Sequence, residues 1–424
     1  MSTSMSSTLQ LETMEPESRQ RSTQSPPTSA GSSLVAGIAN LLNTVVGAGI
    51  LSLPYAFRSS GLAVGVAYQY IFGGASWYGS WLLLDALRSC PSCMSYEELA
   101  SATLGRAGAT AYNTASLINC YGACVSYLVV AGDILPPLLH ESGIGIGRPA
   151  VLTALTLVLI LPLSALRDIS ALQYASGLSI CIYLLFVLTM LALASDSSAP
   201  PRELPALVQP DAGGWIRAIP LCAFAYLHQT SLFPIIQELR GPSPGRLRVL
   251  VGASVGTAIV LYTLTGLAAC VRFGSTVEGD VLLNLATVDS AAVRIMRLGF
   301  GVSVCLTYPC LHYAARRSLD QLTFGRVGQQ TPHRRLLALT AALVGSSLGV
   351  ALVVRRVELI FGFTGAIAST MISYILPAAI HLMARPHRVL DLRKNWASLG
   401  FLVGGGLCGA TALINHALDV AVGA

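Results

Sequence analysis

The sequence predicts an all-α membrane protein with eleven transmembrane helices. Of its 424 residues, 53% are hydrophobic and only 11% are charged, whereas soluble proteins carry about 25% charged residues. Eleven separate windows of 18 or more residues contain no Asp, Glu, Lys or Arg. A spanning helix needs about 20 apolar residues and a spanning strand only about 9–11, so the window length indicates helices. The windows are 22–57, 59–84, 107–132, 149–166, 169–195, 218–237, 249–271, 298–315, 336–354, 359–384 and 395–418.

The distribution of basic residues predicts the orientation of the chain. If the N-terminus is cytosolic and all eleven windows cross the bilayer, the cytosolic side receives 17 of the 26 Lys and Arg residues. This excess follows the positive-inside rule. The net charge of +6 therefore has an explanation in membrane insertion, and we expect a lipid bilayer and no nucleic acid as partner.

The chain is predicted to have one folded domain. Residues 1–33 are rich in Ser, Thr, Pro and Gln, with too few large apolar groups to offset the entropy of ordering, and we expect a disordered cytosolic tail. Residues 34–424 form the transmembrane domain, which we expect to be monomeric. Cys90 and Cys93 form a lone C-x-x-C, whereas a zinc site needs a second pair of ligands, so we predict no metal site.

Two of the predicted helices are interrupted near their centres. The first contains Gly47, Gly49 and Pro54, and the sixth contains a polar run from Tyr226 to Ser231, followed by Pro234. In a membrane, broken backbone is tolerated only where protein or a water-filled cavity satisfies it. Matching interruptions in two halves indicate a transporter built from an inverted repeat of five helices. The halves are helices 1–5 over about 34–194 and helices 6–10 over about 214–384, with helix 11 over about 395–418 as an addition.

Several segments resemble the amino acid/auxin permease family, which includes fungal vacuolar amino acid transporters and animal sodium-coupled neutral amino acid transporters. The resemblance implies the eleven-helix, leucine-transporter-like fold of the amino acid/polyamine/organocation superfamily. It also implies amino acid transport coupled to H⁺ or Na⁺. The segments are NLLNTVVGAGILSLPYAF at 40–57, SYLVVAGDILPPL at 126–138, FPIIQELR at 233–240, LTYP at 306–309, ARRSLD at 315–320 and GFTGAIASTMISYILPAAIHL at 362–382.

The interrupted helices predict a site for a zwitterionic amino acid. The restart of a broken helix offers N–H groups and a positive dipole to a carboxylate, and its unwound carbonyls attract an ammonium group. The alternative for the glycines is close packing between helices, and the alternatives for His228 are proton coupling and a structural role. The predicted substrate-binding residues are Asn43, Thr44, Gly47, Ala48 and Gly49 in helix 1 and Tyr226, His228, Gln229 and Thr230 in helix 6.

The coupling ion stays open between H⁺ and Na⁺, and we expect no cofactor. The resemblance matches Asn43 and Thr307 to positions associated with a sodium site in the sodium-coupled relatives. The alternative is that Thr307 bonds to its own helix. A proton mechanism needs a buried titratable group, and the acids Asp85, Asp133 and Glu238 all lie near predicted helix ends rather than at the midplane.

These observations favour a secondary active transporter of neutral amino acids over other classes of protein. We find no clustered catalytic side chains and no P-loop for direct use of ATP, so we predict no enzyme and no ATP-driven pump. An amino acid sensor with a transporter fold is the first alternative, and a channel, for which we find no repeated pore segment, is the second. The family pattern is nearer the vacuolar type, so we expect a vacuolar or endolysosomal membrane, with the plasma membrane as the alternative.

Overall fold

The regular structure of the protein is helical throughout the part described by the computed structural model. The described residues are 31–141, 143–167, 175–197, 202–325, 331–384 and 392–422. The predicted tail over residues 1–33 lies outside these ranges, except for residues 31–33. The helices are α1 (Leu34–Val46), α2 (Leu53–Ser60), α3 (Leu62–Leu87), α4 (Tyr96–Glu141), α5 (Arg148–Leu155), α6 (Leu161–Ser164), α7 (Ala175–Ala194), α8 (Ala212–Ala225), α9 (Gln229–Glu238), α10 (Pro244–Phe273), α11 (Val281–Ala286), α12 (Ala291–Phe324), α13 (His333–Val353), α14 (Val357–Thr364), α15 (Leu376–Met383) and α16 (Leu392–Val422).

Eight of the described helices are long and apolar enough to cross a membrane. The first helix and the α5–α6 segment are apolar but shorter. The count of eleven crossings therefore stays a prediction. The eight are Tyr96–Glu141, Gly177–Ala194, Ala212–Glu238, Pro244–Thr276, Ala291–Phe324, His333–Val353, Val357–Met383 and Asn395–Ile414.

The start of α1 is ordered, although the sequence predicted disorder up to residue 33. The Ser33 side chain accepts a hydrogen bond from the Ala36 amide at 3.1 Å and caps the helix, which is the usual role of serine at that position. The Ser32 amide donates to the Glu238 carbonyl at 2.7 Å, and the Arg240 amide donates to the Ser32 carbonyl at 3.1 Å. These bonds hold the beginning of α1 against the end of α9.

Close packing around a phenylalanine fixes the position of α2. Phe57 is fully buried and lies against Gly65 of α3 and Gly266 of α10. A Cβ added at either glycine would come within 2.7 Å of the Phe57 ring, which is closer than van der Waals contact permits. The two glycines therefore let α2 pack between its neighbours.

The helix pair α4 and α12 makes the most extensive helix contact of the molecule. Gly105, with φ 68°, divides α4 into a short first segment and a long second one. Arg316 of α12 is buried, and its guanidinium donates to the Ser164 carbonyl at 2.9 Å and to the Thr340 hydroxyl at 2.8 Å. These bonds tie α12 to α6 and α13, so this group of helices forms a connected frame.

Candidate functional site

The first membrane helix is interrupted where the sequence predicted. α1 ends at Val46, a short 3₁₀ turn covers Ala48–Leu51, and α2 begins at Leu53. A Cβ added at Gly49 would lie 2.9 Å from the Ala225 Cα. Glycine at position 49 therefore allows the backbone of this turn to approach α8 directly.

A second interruption separates α8 from α9 and lies beside the first. Tyr226 and His228 lie in the non-helical connection between these helices. The Tyr262 hydroxyl of α10 is fully buried and lies 2.5 Å from the Val45 carbonyl oxygen and 3.0 Å from the Ala225 carbonyl oxygen. One hydroxyl thus hydrogen-bonds with carbonyls at the ends of α1 and α8, which lack partners within their own helices.

A cavity of about 660 Å³ contains the interruption of α1. Its exposed lining residues are Met94, Glu98, Pro234, Gln237 and Arg317. The mouth therefore lies beside residues 94–98, where α4 begins, and one wall follows a single face of α4. The residues that line it are Asn43, Thr44, Val45, Gly47, Ala48, Gly49, Met94, Ser95, Tyr96, Glu97, Glu98, Tyr112, Asn113, Ser116, Asn119, Cys120, Ala123, Tyr127, Tyr183, Phe224, Ala225, Leu227, Thr230, Ser231, Phe233, Pro234, Gln237, Thr307, Cys310, Leu311, Tyr313, Ala314, Arg317 and Ser318.

Most of the predicted site residues lie together on this cavity. The Asn43 Oδ1 atom is buried and has no hydrogen-bond partner among the described residues. The Thr307 hydroxyl donates to the Ser303 carbonyl of its own helix at 2.8 Å, which is the alternative considered for this residue, and it still lines the cavity. The predicted residues that line the cavity are Asn43, Thr44, Gly47, Ala48, Gly49, Thr230 and Thr307.

His228 makes its contacts outside the cavity. The ring is fully buried, with Nδ1 at 3.0 Å from the Tyr226 carbonyl oxygen and Nε2 at 2.8 Å from the Ser80 hydroxyl of α3. A carbonyl oxygen only accepts hydrogen bonds, so Nδ1 carries a proton, and Nε2 shares a hydrogen bond with the Ser80 hydroxyl. The imidazole is satisfied by protein on the side facing α3 and does not line the cavity.

Tyr226 and Gln229 also turn away from the cavity. The Tyr226 hydroxyl donates to the Gln69 Oε1 atom at 3.0 Å. The Gln229 amide donates to the Ser76 hydroxyl at 2.9 Å and accepts from the Ser373 hydroxyl at 2.9 Å. Tyr226, His228 and Gln229, which the sequence predicted to contact substrate, do not line the cavity in this structure. Their polar atoms hold the second interruption against α3 and the α14–α15 segment.

Sequence reasoning missed the opposite wall of the cavity. Among the α4 residues that line it, five recur at intervals of three and four, which place them on one face of a helix. Asn119 lies next to this stripe, is 8% exposed and has a buried Oδ1 atom without a hydrogen-bond partner in the described part of the chain. The spacing was visible in the sequence, but only packing shows that this face meets the cavity. The five residues are Asn113, Ser116, Cys120, Ala123 and Tyr127.

Comparison with known protein families identifies the family of this chain. A sequence profile described as "Transmembrane amino acid transporter protein" matches residues 30–416. The chain belongs to this family. The family resemblance stated from the sequence is thus confirmed, and the protein is a multi-pass membrane protein.

Similar proteins occur in fungi and animals. The chain is 27% identical over 395 residues to vacuolar amino acid transporter 5 of Schizosaccharomyces pombe, covering 89% of this chain and 91% of the relative. It is 26% identical over 395 residues to sodium-coupled neutral amino acid transporter 7 of Xenopus laevis, covering 88% and 86%. It is also 26% identical over 393 residues to solute carrier family 38 member 10 of Mus musculus. That match covers 89% of this chain but only 36% of the relative's length.

Solved structures show the same fold. MhsT in complex with L-phenylalanine gives a TM-score of 0.55 at 14% identity, covering 90% of this chain and 98% of that one. The inward facing conformation of Mhp1 gives a TM-score of 0.54 at 12% identity, covering 92% and 89%. These matches confirm the predicted fold class, an all-α membrane protein of the leucine-transporter type.

Proposed function

We propose that the protein is a secondary active transporter that moves amino acids across a membrane by alternating access. Membership of the transmembrane amino acid transporter family supports this proposal. The observation that carries it is the interruption of α1 inside a cavity that reaches the mouth at residues 94–98. This arrangement suits a substrate site open to one side of the membrane.

The interrupted backbone offers complementary groups to both charges of an amino acid. The last carbonyls of α1 lack helical partners and present partial negative charge to an ammonium group. The first amides of the Ala48–Leu51 turn present N–H groups to a carboxylate. We infer that the zwitterion binds across Gly47, with its side chain directed toward the wall formed by α4.

The charge distribution of the cavity supports a neutral substrate side chain. Its charged lining residues are Glu97, Glu98 and Arg317, and all three belong to the mouth. The lining around the interruption carries hydroxyl, amide, thiol and apolar groups, among them Asn43 and Thr307. A charged substrate side chain buried there would lose its hydration without gaining a partner of opposite charge.

The coupling ion in this proposal is H⁺ or Na⁺. Na⁺ binds to oxygen ligands, and the unpartnered Oδ1 of Asn43 and the hydroxyl oxygen of Thr307 both line the cavity. The Thr307 hydrogen is already donated to Ser303, so its oxygen keeps lone pairs for a cation. A proton remains the alternative. We propose no bound cofactor and a monomeric protein.

We place the transporter in a vacuolar or endolysosomal membrane. The relative in Schizosaccharomyces pombe, which matches over most of its length, is named a vacuolar transporter. The plasma membrane is the alternative. Expression of the tagged full chain, followed by colocalisation with a vacuolar or lysosomal marker, distinguishes the two.

Uptake into proteoliposomes tests the transport proposal. The purified full chain is reconstituted, and a panel of labelled amino acids is offered while Na⁺ and pH gradients are imposed separately. We expect neutral amino acids to accumulate above their equilibrium level under at least one gradient. Stimulation by neither gradient would exclude coupled transport.

Paired variants then identify the ion. Asn43→Ala and Thr307→Ala are compared with Thr323→Ala, whose hydroxyl also bonds to its own helix, at Leu319, but lies outside the cavity. If Na⁺ is the coupling ion, the first two variants lose Na⁺-stimulated uptake and the third keeps it. Unchanged pH-driven uptake in all three would instead assign coupling to H⁺.

A further inference from the structure

A short helix covers the end of the molecule that lies away from the cavity mouth. α11 lies in the connection between α10 and α12, and it packs against α4. Four apolar side chains of this segment are almost completely buried, with exposures of 0% or 1%. They are Val277, Val281, Leu282 and Leu285.

The position of α11 follows from its neighbours on α4. Asn113 lines the cavity near the mouth, and Asp133, which interacts with Asp280 at the start of α11, lies 20 residues further along the same helix. At 1.5 Å per residue, this separation is about 30 Å. α11 therefore lies on the side opposite to the mouth, and we call this helix the outer gate.

Asp280 caps α11 from a buried position. Its Oδ1 atom accepts a hydrogen bond from the Leu282 amide at 2.9 Å. The residue is 2% exposed, and its Oδ2 atom is buried without a hydrogen-bond partner among the described residues. An ionised carboxylate with one oxygen unsatisfied in such a place is unfavourable.

The charged groups around Asp280 add to that cost. Asp133 of α4 and Glu358 of α14 both act on it with like charge, and Arg297 of α12 is the opposing positive group. The Glu358 carboxylate lies directly against the Asp280 loop, since a Cβ added at Gly279 would overlap it. Asp280 thus faces two carboxylates and one guanidinium.

Two further arginines are engaged with the other two acids. Arg148 lies 3.5 Å from the Asp133 carboxylate, and Arg356 lies 2.8 Å from the Glu358 carboxylate. Burial, followed by the charge of Asp133, raises the pKa of Asp280 to about 8. The buried position beside Asp133 therefore favours the neutral form of this carboxyl group.

We propose that Asp280 is a proton-binding residue of the outer gate, which closes with its carboxyl group protonated and opens as that group ionises. The inference rests on the proposed transport cycle, because alternating access requires the outer side to open. It goes beyond that cycle because it identifies one residue, Asp280, as the group that binds a proton from the outer compartment.

The direction of the pH effect follows from linkage. A solvent-exposed aspartate has a pKa of about 3.9, and that of Asp280 in the closed gate is about 8. Between these values, closing takes up one proton, so acid in the outer compartment stabilises the closed gate. The equilibrium for opening rises up to about tenfold per pH unit across this range and levels off above about pH 8.

Cysteine labelling measures opening without requiring transport. Leu285→Cys is placed at a fully buried position of α11, and Leu283→Cys, at a residue that is 38% exposed on the same short helix, serves as the matched control. The full-length protein in nanodiscs is treated with a membrane-impermeant maleimide between pH 5 and 9. Modification at each site is quantified by peptide mass spectrometry. The ratio of the two rates removes the pH dependence of the thiol itself.

We expect the ratio of Leu285→Cys to Leu283→Cys labelling to rise with pH by up to about tenfold per unit and to level off near pH 8. Asp280→Asn keeps a side chain that caps helices well but cannot ionise, so its ratio should stay at the acidic level at every pH. Asp289→Asn, at a side chain that is 92% exposed in the same connection, should keep the profile of the unchanged sequence.

A flat ratio with Asp280 present, or the same slope in Asp280→Asn, would overturn the inference. The first outcome needs no substitution at Asp280, so a folding defect cannot obscure it. Either result in protein that still transports amino acids would reject the gate assignment and leave the proposed function standing.

Discussion

Removing the hydroxyl of Tyr262 tests whether one side chain holds both helix interruptions in place. Tyr262→Phe keeps the ring and leaves the Val45 and Ala225 carbonyls, at 2.5 and 3.0 Å from the lost oxygen, without this donor. The hydroxyl has one hydrogen to share between them. We therefore expect a loss of about 1–3 kcal/mol in the free energy of unfolding, the cost of one unsatisfied buried acceptor.

Thermal unfolding of the purified variant and its affinity for the preferred amino acid are the measurements. If the loosened carbonyls disturb substrate binding to the same extent, 1–3 kcal/mol corresponds to about 5–150-fold weaker binding. Tyr70→Phe is the matched control, because Tyr70 is 63% exposed on α3. Equal stability and equal affinity in Tyr262→Phe and Tyr70→Phe would refute this reasoning.

Three further substitutions separate site residues from structural ones. His228→Leu should lower the free energy of unfolding by about 1–3 kcal/mol, measured by thermal unfolding, and should leave substrate selectivity unchanged. A selective loss of one substrate class would instead support direct contact between His228 and the substrate. Gly49→Ala places a Cβ 2.9 Å from the backbone of α8 and should abolish uptake in liposomes, whereas Gly256→Ala, with open space around it, should transport normally. Arg316→Met removes the charge-assisted bonds between α12 and its neighbours, so we expect a loss of about 1–3 kcal/mol in the free energy of unfolding. Expression and melting close to those of Arg317→Met would contradict this.

The interruption of the first helix was predictable because its cause is local. Gly47 and Gly49 weaken the helix, and Pro54 lacks the amide that an earlier start of α2 would need. The structure accordingly has α2 beginning at Leu53, with Pro54 in its first turn. The resemblance to a family added the overall fold, which the local pattern alone leaves open.

The orientation of the second interruption depends on packing and could not be read from the sequence. Successive helical residues differ by about 100° around the axis, so the residue at which α9 begins decides which of its side chains face the cavity. Thr230 and Ser231 line it, whereas His228 and Gln229 face α3. The contacts of His228 agree with the alternative that we considered for it, a structural role.

The pairing of Ser32 with the end of α9 has a mechanical consequence. Two backbone hydrogen bonds join Ser32, two residues before α1, to Glu238 and Arg240, so the inner halves of both discontinuous helices share one anchor. Any displacement that widens the entrance by swinging α1 must carry α9 along or break those bonds. The two half-helices are therefore expected to move together as one rigid unit and not independently of each other.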